Sequence, residues 1–312
     1  MWSGPAPACV LARMCPPPAA AEFLFRFDRA SDAAGVAVPV LAGVPHETLF
    51  TGLPAAGEAS GFRLFGDPDR LVGIQVAVVR DDLETRAETA CAGLLALSRE
   101  RGLHPARIWN YVPGINAGSP AGLEAYRVFC RGRAQAFERA GWRTALPAAS
   151  AVGGEPGRLA VVFVATRERP IARENPEQVP AFEYPPDYGP RPPSFSRATQ
   201  VVVAGRRWTF VSGTAAIKGH ASQASGDLAG QIACTLDNLR LISTECGLGA
   251  DLAAGAAAER HFKIYLRHAA DLAFAHAALG HTLFRPGDRV TWLRADICRA
   301  ELLLEIEATV IT

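Results

Sequence analysis

Three glutamates near the C-terminus are the side chains in this sequence most open to a chemical role. They fall in R-A-E-L-L-L-E-I-E-A-T-V-I, Arg299 to Ile311, which reads as one β-strand. Side chains alternate across a strand, so Leu302, Leu304, Ile306 and Ala308 share one face, and Glu301, Leu303, Glu305 and Glu307 share the other. The plain alternative for each carboxylate is a solvated outer face. Glu305 stands apart because it lies deepest in the apolar run, with Leu302 to Leu304 before it and Ile306 after it. A carboxyl desolvated there holds its proton to higher pH and can act as a general acid near neutrality.

Such a strand needs a sheet and covering helices, and the chain supplies both. Leu71–Val79 reads as a strand, Asp81 and Asp82 open a helix over Leu83–Arg101, and Gly102 stops it. A strand at Ala106–Val112, a Gly/Pro/Asn/Ser loop at Pro113–Pro120, a helix over 121–140 and a strand at Leu159–Thr166 follow. Arg167–Thr199 is dense in proline; loops of that length are functional or disordered, and its aromatic residues argue for order. A hairpin over Gln200–Val211, a helix at Leu228–Cys246, a strand at His261–Leu266, a helix at Ala269–Leu279 and two final strands complete the chain. Ahead of all this, Met1–Ala21 reads as a loose tail, and Phe23–Phe27 and Val36–Leu41 as short strands.

The two halves repeat one another. A-C-A-G-L-L-A-L-S-R-E-R-G-L, ending at Leu103, aligns without gaps on T-L-D-N-L-R-L-I-S-T-E-C-G-L, ending at Leu248. V-V-F-V-A-T (Val161–Thr166) aligns on L-E-I-E-A-T (Leu304–Thr309), which sets Glu305 opposite Val162 and Glu307 opposite Val164. Only the second copy carries carboxylates there, so a single asymmetric site between the copies is expected.

Composition narrows the function classes. With 312 residues the chain can bury one large core or two moderate ones, and a net charge of +1 suggests neither nucleic acid nor an anionic membrane as partner. No apolar run approaches the ~20 residues that span a bilayer, and the N-terminus lacks the basic and apolar regions of a secretory signal. Seven scattered cysteines, none in a C-x-x-C pair, argue against a disulfide framework and for a reducing cytoplasm. His261, His268, His276 and His281 never fall at i,i+4 spacing, so no zinc site is expected.

Over the second half, F-V-S-G-T-A, G-D-L-A-G-Q-I-A-C-T-L-D-N-L, C-G-L-G and L-L-E-I-E-A-T resemble the RidA/YjgF family. Its small barrel packs two helices on a curved sheet, and the first glutamate of its terminal E-I-E-A, here Glu305, is a functional position. More specific runs are W-N-Y-V-P-G-I-N (Trp109–Asn116), E-N-P-E-Q-V-P-A-F-E-Y-P (Glu174–Pro185), Y-G-P-R-P-P-S-F-S-R-A-T (Tyr188–Thr199) and S-G-T-A-A-I-K-G-H (Ser212–His220). Together these resemble the chorismatase family, the chorismate-cleaving enzymes that include the 3-hydroxybenzoate synthases.

The resemblance implies an α+β fold: two fused RidA/YjgF-like (chorismate mutase-like) barrel units, helices packed outside curved mixed sheets. The units would span 64–166 and 200–312, with a proline-rich active-site loop at 167–199 and a tail with accessory strands at 1–63. It implies chorismate as a small-molecule substrate, no cofactor or metal, and a monomer or small homo-oligomer. Glu305 would protonate the enolpyruvyl methylene. Arginine forks suit carboxylates, which points to Arg191 and Arg197, with Arg133 on a helix; the alternative for each is a surface ion pair. Tyr184 and Tyr188 would close over the ring or pack the loop, and Gly213 and Thr214 would line the substrate. By the same analogy Cys298 directs the outcome toward a hydroxybenzoate, whereas an alanine goes with release of a dihydrodiol; its plain alternative is a small buried hydrophobe. Two other readings compete. One is a RidA-type imine hydrolase, disfavoured because Val290 falls where that family carries an arginine. The other is a non-catalytic binding module on the same fold.

Overall fold

The computed structural model describes residues 22–26, 33–119, 122–254 and 257–312; the expected tail, Phe27, Cys9 and Cys15 lie outside them. The N-terminal segment forms β1 (Glu22–Arg26), β2 (Ala33–Gly43) and β3 (His46–Thr48). Next come β4 (Ala55–Ala59), β5 (Phe62–Gly66), β6 (Arg70–Val78), α1 (Leu83–Glu100), β7 (His104–Pro113) and α2 (Ala125–Arg139). The first half closes with β8 (Ala148–Gly154) and β9 (Arg158–Thr166). The second half runs β10 (Ile171–Arg173), β11 (Ala198–Val203), β12 (Arg206–Thr214) and the small hairpin β13 (Ile217–Lys218) and β14 (Ala221–Ser222). It ends with α3 (Leu228–Glu245), β15 (Glu259–Leu266), α4 (Leu272–Thr282), β16 (Arg289–Arg294) and β17 (Leu304–Ile311).

The repeat in the sequence is a repeat in space. Strand order is β4-β5-β6-β9-β7-β8 in one sheet, and the other begins β10-β11-β12-β17-β15-β16, a match strand for strand. The pairing senses agree too: β9 and β17 are antiparallel to both neighbours, while β7–β8 and β15–β16 are parallel. Even the helix ends coincide. Gly102 and Gly247 sit at φ +62° and +68°, where a side chain is strained, and each lets the following leucine amide reach back to a serine carbonyl, Leu103 to Ser98 (2.8 Å) and Leu248 to Ser243 (3.0 Å).

Alternation within the strands sorts the core into three layers. From β9, Val161, Phe163 and Ala165 pack under α1 and α2; from β17, Leu304, Ile306, Ala308 and Val310 pack under the second pair of helices. Val162 and Val164 point the other way, into the space where the two sheets meet. Val162 faces Trp109 on β7, and Glu305 faces Tyr265 on β15, so the two occupy equivalent positions, as the alignment requires. The result is α+β: helices outside, sheets meeting inside. No helix among the described residues is long and apolar enough to cross a membrane.

Some expectations need correction. The last strand begins at Leu304, not Arg299. Residues 298–302 turn instead, because the Arg267 guanidinium takes the carbonyls of Ile297, Arg299 and Leu302 (3.3, 2.9 and 2.8 Å) that a ladder would otherwise use. Glu301 is therefore an exposed turn residue, hydrogen-bonded by Ser222 Oγ (2.7 Å), and does not share a strand face with Glu305. The first sheet starts at Ala55, ahead of the expected boundary at 64. The accessory strands are built into the second sheet, extending it past β16 in the order β2-β1-β3. The proline-rich loop is ordered by buried amides: Gln178 Nε2 donates to Ile217 O (2.8 Å), Asn175 Nδ2 to Asn238 O (3.3 Å), and Asn238 Nδ2 to Ala215 O (3.0 Å) and Ile217 O (2.9 Å).

Candidate active site

Glu305 and Glu307 both enter the inter-sheet space from β17, and their surroundings differ completely. Glu307 is held by donors from both sheets: Arg107 Nη2 at 2.5 Å, Trp109 Nε1 at 2.8 Å, Tyr265 OH at 3.3 Å, with Ser150 Oγ and Lys263 Nζ closer still. Lys263 also pairs with Glu47 from β3 (2.6 Å) and sits over the rings of Phe23, Phe25 and Trp109 (5.1, 4.8 and 4.6 Å to the centroids). Burial alone would raise the Glu307 pKa, but Lys263 and Arg107 hold it below the ordinary carboxylate value. This buried cluster balances two carboxylates against two cations.

Glu305 has none of that support. It is 3 % exposed, and its Oε1 has no hydrogen-bond partner. Burial, then the charge of Glu307, push its pKa up from 4.5 to about 8 against the weaker pull of Arg107 and Arg197, so the carboxyl keeps its proton at neutral pH. Its seat exists because residue 213 is glycine: a Cβ there would collide with Glu305 Oε1. Burial and the nearby Glu305 likewise push the Cys298 thiol far up, so it stays neutral.

Glu305 forms part of the wall of a pocket of about 180 Å³ between the two units. Arg133, Tyr184, Tyr188, Arg197, Gly213 and Cys298, all singled out in the sequence, line the same pocket. Arg133 projects from α2, donates through Nε and Nη2 to Ser194 O (3.2 and 3.0 Å) and is 3 % exposed. Arg197, on the proline-rich loop, donates from Nη2 to Tyr184 OH (2.7 Å) and Val179 O (3.3 Å), leaving its Nε without a partner.

Two expected residues are placed elsewhere. Arg191 lies outside the pocket, in a surface ion pair with Glu138 on α2 (2.8 Å), both side chains well exposed. Thr214 does not line the pocket; alternation after Gly213 turns it aside, and its hydroxyl donates to Ser212 O (2.9 Å). Conversely, several residues went unremarked in the sequence. Arg107 and Lys263 each interrupt an apolar strand, A-R-I-W-N-Y-V and H-F-K-I-Y-L, the same signal that marks Glu305. Arg299 follows Cys298 directly and lines the pocket mouth. Arg133, Arg197 and Arg299 form no direct ion pair among the described residues, although the Arg197 charge reaches half-buried Glu174, and Glu124 and Glu301 line the same pocket; a guanidinium's natural complement is a carboxylate. No group of three or more His, Cys, Asp or Glu side chains suited to a metal occurs among the described residues.

Paired repeat units thus enclose a protonated carboxyl and several guanidinium groups in one pocket, an arrangement suited to a small anion. Comparison with known proteins identifies the family. The family profile "Chorismatase FkbO/Hyg5-like, N-terminal" matches residues 53–165. A chorismatase from Streptomyces rapamycinicus is 39% identical over 266 residues, 82% of this chain and 78% of its own length. A 3-hydroxybenzoate synthase from Streptomyces hygroscopicus is 39% identical over 215 residues, 65% of this chain; the alignment spans 62% of that relative. A chorismatase crystal structure at 1.08 Å resolution superposes with a TM-score of 0.76 at 31% identity, covering 88% of each chain. This chain belongs to the chorismatase family.

Proposed function

We propose that the chain cleaves chorismate to pyruvate and 3-hydroxybenzoate, with Glu305 as the general acid. The observation that carries this reading is a buried, proton-bearing Glu305 carboxyl with an unpartnered oxygen, set in the wall of a pocket that also holds guanidinium groups without carboxylate partners. The names of its relatives, chorismatase and 3-hydroxybenzoate synthase, support the choice of substrate.

Chorismate carries one carboxylate on its ring and one on its enolpyruvyl arm. Glu305 gives its proton to the methylene carbon of that arm, and the ether oxygen shares the resulting positive charge as an oxocarbenium ion. The bond from ring carbon to ether oxygen then breaks, its electrons staying on oxygen, and pyruvate leaves. The ring is left electron-poor at that carbon and becomes aromatic by losing one proton, which balances the proton Glu305 supplied. If the neighbouring hydroxyl stays on its carbon, 4-hydroxybenzoate results; if it shifts to the electron-poor carbon, 3-hydroxybenzoate does. Capture by water would give the dihydrodiol instead. Cys298 puts a neutral thiol in the pocket wall, and we assign it the role of favouring the water-free outcome. Arg197 and Arg133 bind carboxylate, and Tyr184 and Tyr188 cover the ring.

The reading places the enzyme in a reducing cytoplasm, where the five described cysteines remain thiols. Residues of one chain line the pocket from both units, so a monomer carries a whole site, with or without assembly into a small homo-oligomer. The test is turnover of chorismate, followed by loss of its absorbance, release of pyruvate and chromatography of the aromatic products. Pyruvate with a hydroxybenzoate supports the reading, pyruvate with a dihydrodiol moves the chain to the hydrolytic branch, and absence of pyruvate overturns it.

A further inference from the structure

Arg299 is unlike the other pocket arginines. It leaves the turn before β17, lies half-buried at the pocket mouth, and stacks over Tyr188 at 4.2 Å and Tyr184 at 5.5 Å to the ring centroids. Its Nη1 donates to His220 O (2.9 Å) and Ser222 Oγ (3.0 Å), on the β13–β14 hairpin, and His220 Nδ1 in turn lies 3.2 Å from Tyr188 OH. Those contacts fix the guanidinium plane while occupying only one of its nitrogens. Nε and Nη2 carry no hydrogen bond among the described residues, and no carboxylate pairs with the group there. A rigid fork with a free edge, lining a pocket, is a preformed carboxylate receptor.

We propose that Arg299 holds the ring carboxylate of the substrate at the mouth, while Arg197 holds the enolpyruvyl carboxylate at the inner end beside Glu305. This rests on the chorismate reading and adds an orientation to it. The methylene that Glu305 protonates sits on the carbon bearing the enolpyruvyl carboxylate, so that carboxylate and Glu305 must share one end of the pocket. Arg197 stands at that end: its backbone carbonyl accepts from Ser212 N (2.9 Å), and Gly213, the next residue, is the one against which Glu305 Oε1 sits. Tyr184 ties the two anchors together, since Arg197 donates to its hydroxyl and lies 5.8 Å from its ring, which Arg299 also overlies. A dicarboxylate bridging the two arginines would lay its ring along Tyr184 and past Cys298, which directly precedes Arg299 in the chain and lines the same wall.

Product binding separates the ends, because 3-hydroxybenzoate retains the ring carboxylate and has lost the other. The experiment compares wild type, Arg299→Gln, Arg299→Lys and Arg197→Gln for chorismate kinetics and for inhibition by 3-hydroxybenzoate, with melting temperatures to establish that each is folded. A charge-assisted pair is worth about tenfold or more in affinity. Arg299→Gln is expected to raise both the KM for chorismate and the inhibition constant of 3-hydroxybenzoate by about tenfold or more. Arg299→Lys, which keeps the charge but loses the planar stack, should fall between. Arg197→Gln should impair chorismate cleavage while leaving inhibition by 3-hydroxybenzoate within about threefold of wild type. A folded Arg299→Gln enzyme with unchanged KM and unchanged inhibition overturns the inference, and so does the reverse pattern between the two arginines. Wild-type protein that neither cleaves chorismate nor binds 3-hydroxybenzoate would instead bring down the functional reading on which it stands.

Discussion

The inner faces of β9 and β17 are the same surface built twice, and they are filled in opposite ways. On β9, Val162 and Val164 complete an apolar layer. On β17 the equivalent positions are Glu305 and Glu307, both fully buried. A duplicated unit fills the same positions with apolar side chains in one copy and carboxyls in the other, and the burial that stabilises the valines is what keeps a proton on Glu305. Glu307 shows what must accompany a second buried carboxylate: five donors from β7, β8 and β15 converge on it. One carboxylate is paired; its neighbour two residues earlier keeps its proton and has an oxygen without a hydrogen-bond partner.

That contrast can be broken experimentally, most severely at Glu305. Glu305→Gln keeps the shape and removes the transferable proton, so kcat for chorismate cleavage should fall by about 10²–10⁴ with circular dichroism unchanged. Glu307→Gln should act on the fold instead. It strands Arg107 as a buried cation and leaves Lys263 paired with Glu47 alone, and losing one member of a buried pair costs about 3–5 kcal/mol, measurable by urea titration.

Stability against pH sharpens the same distinction. The Glu305 pKa is raised from 4.5 to about 8 in the folded chain, so the folded state holds a proton that the unfolded state has released. Its contribution to stability therefore declines as pH rises from 4.5 to 8 and is constant above, a loss of roughly 3 kcal/mol by pH 7. Wild type should lose stability across that window more steeply than Glu305→Gln; parallel curves would mean the carboxyl ionises normally. Gly213→Ala, which drives a methyl into Glu305 Oε1, should cost about 1–3 kcal/mol by overpacking and lower activity with it. The smallest effect is expected at Arg191→Ala. Its pair with Glu138 is exposed, so stability should change by less than about 1 kcal/mol and chorismate KM should not move.

Much of this was legible because the relevant signals are periodic or repeated. Helices α1 and α3 announce themselves twice, with the same glycine stop, and strand alternation alone places Glu305 and Glu307 on the face opposite Leu304 and Ile306. The loop arginines were not separable in this way. Arg191 and Arg197 share one proline-rich segment without periodicity, so nothing local tells which turns inward; Arg197 is held at the foot of β11, where its carbonyl accepts from Ser212 N (2.9 Å), while Arg191 pairs with Glu138 at the surface. In the strands β4 and β8 glycine and alanine dilute the pattern, and β5 is only five residues long. The turn over residues 298–302 was not legible because its carbonyls are claimed by Arg267, far away in sequence.

The N-terminal strands hold a further consequence. Phe23 and Phe25 on β1 and Glu47 on β3 are what Lys263 touches on the side away from Glu307, yet the family profile begins only at residue 53. A chain begun at residue 53, where that profile begins, would retain both repeats and every residue of the pocket. It would also uncover Lys263, the cation that pairs with Glu307, to water, so the portion of the chain least related to the repeat acts as the seal on its electrostatics.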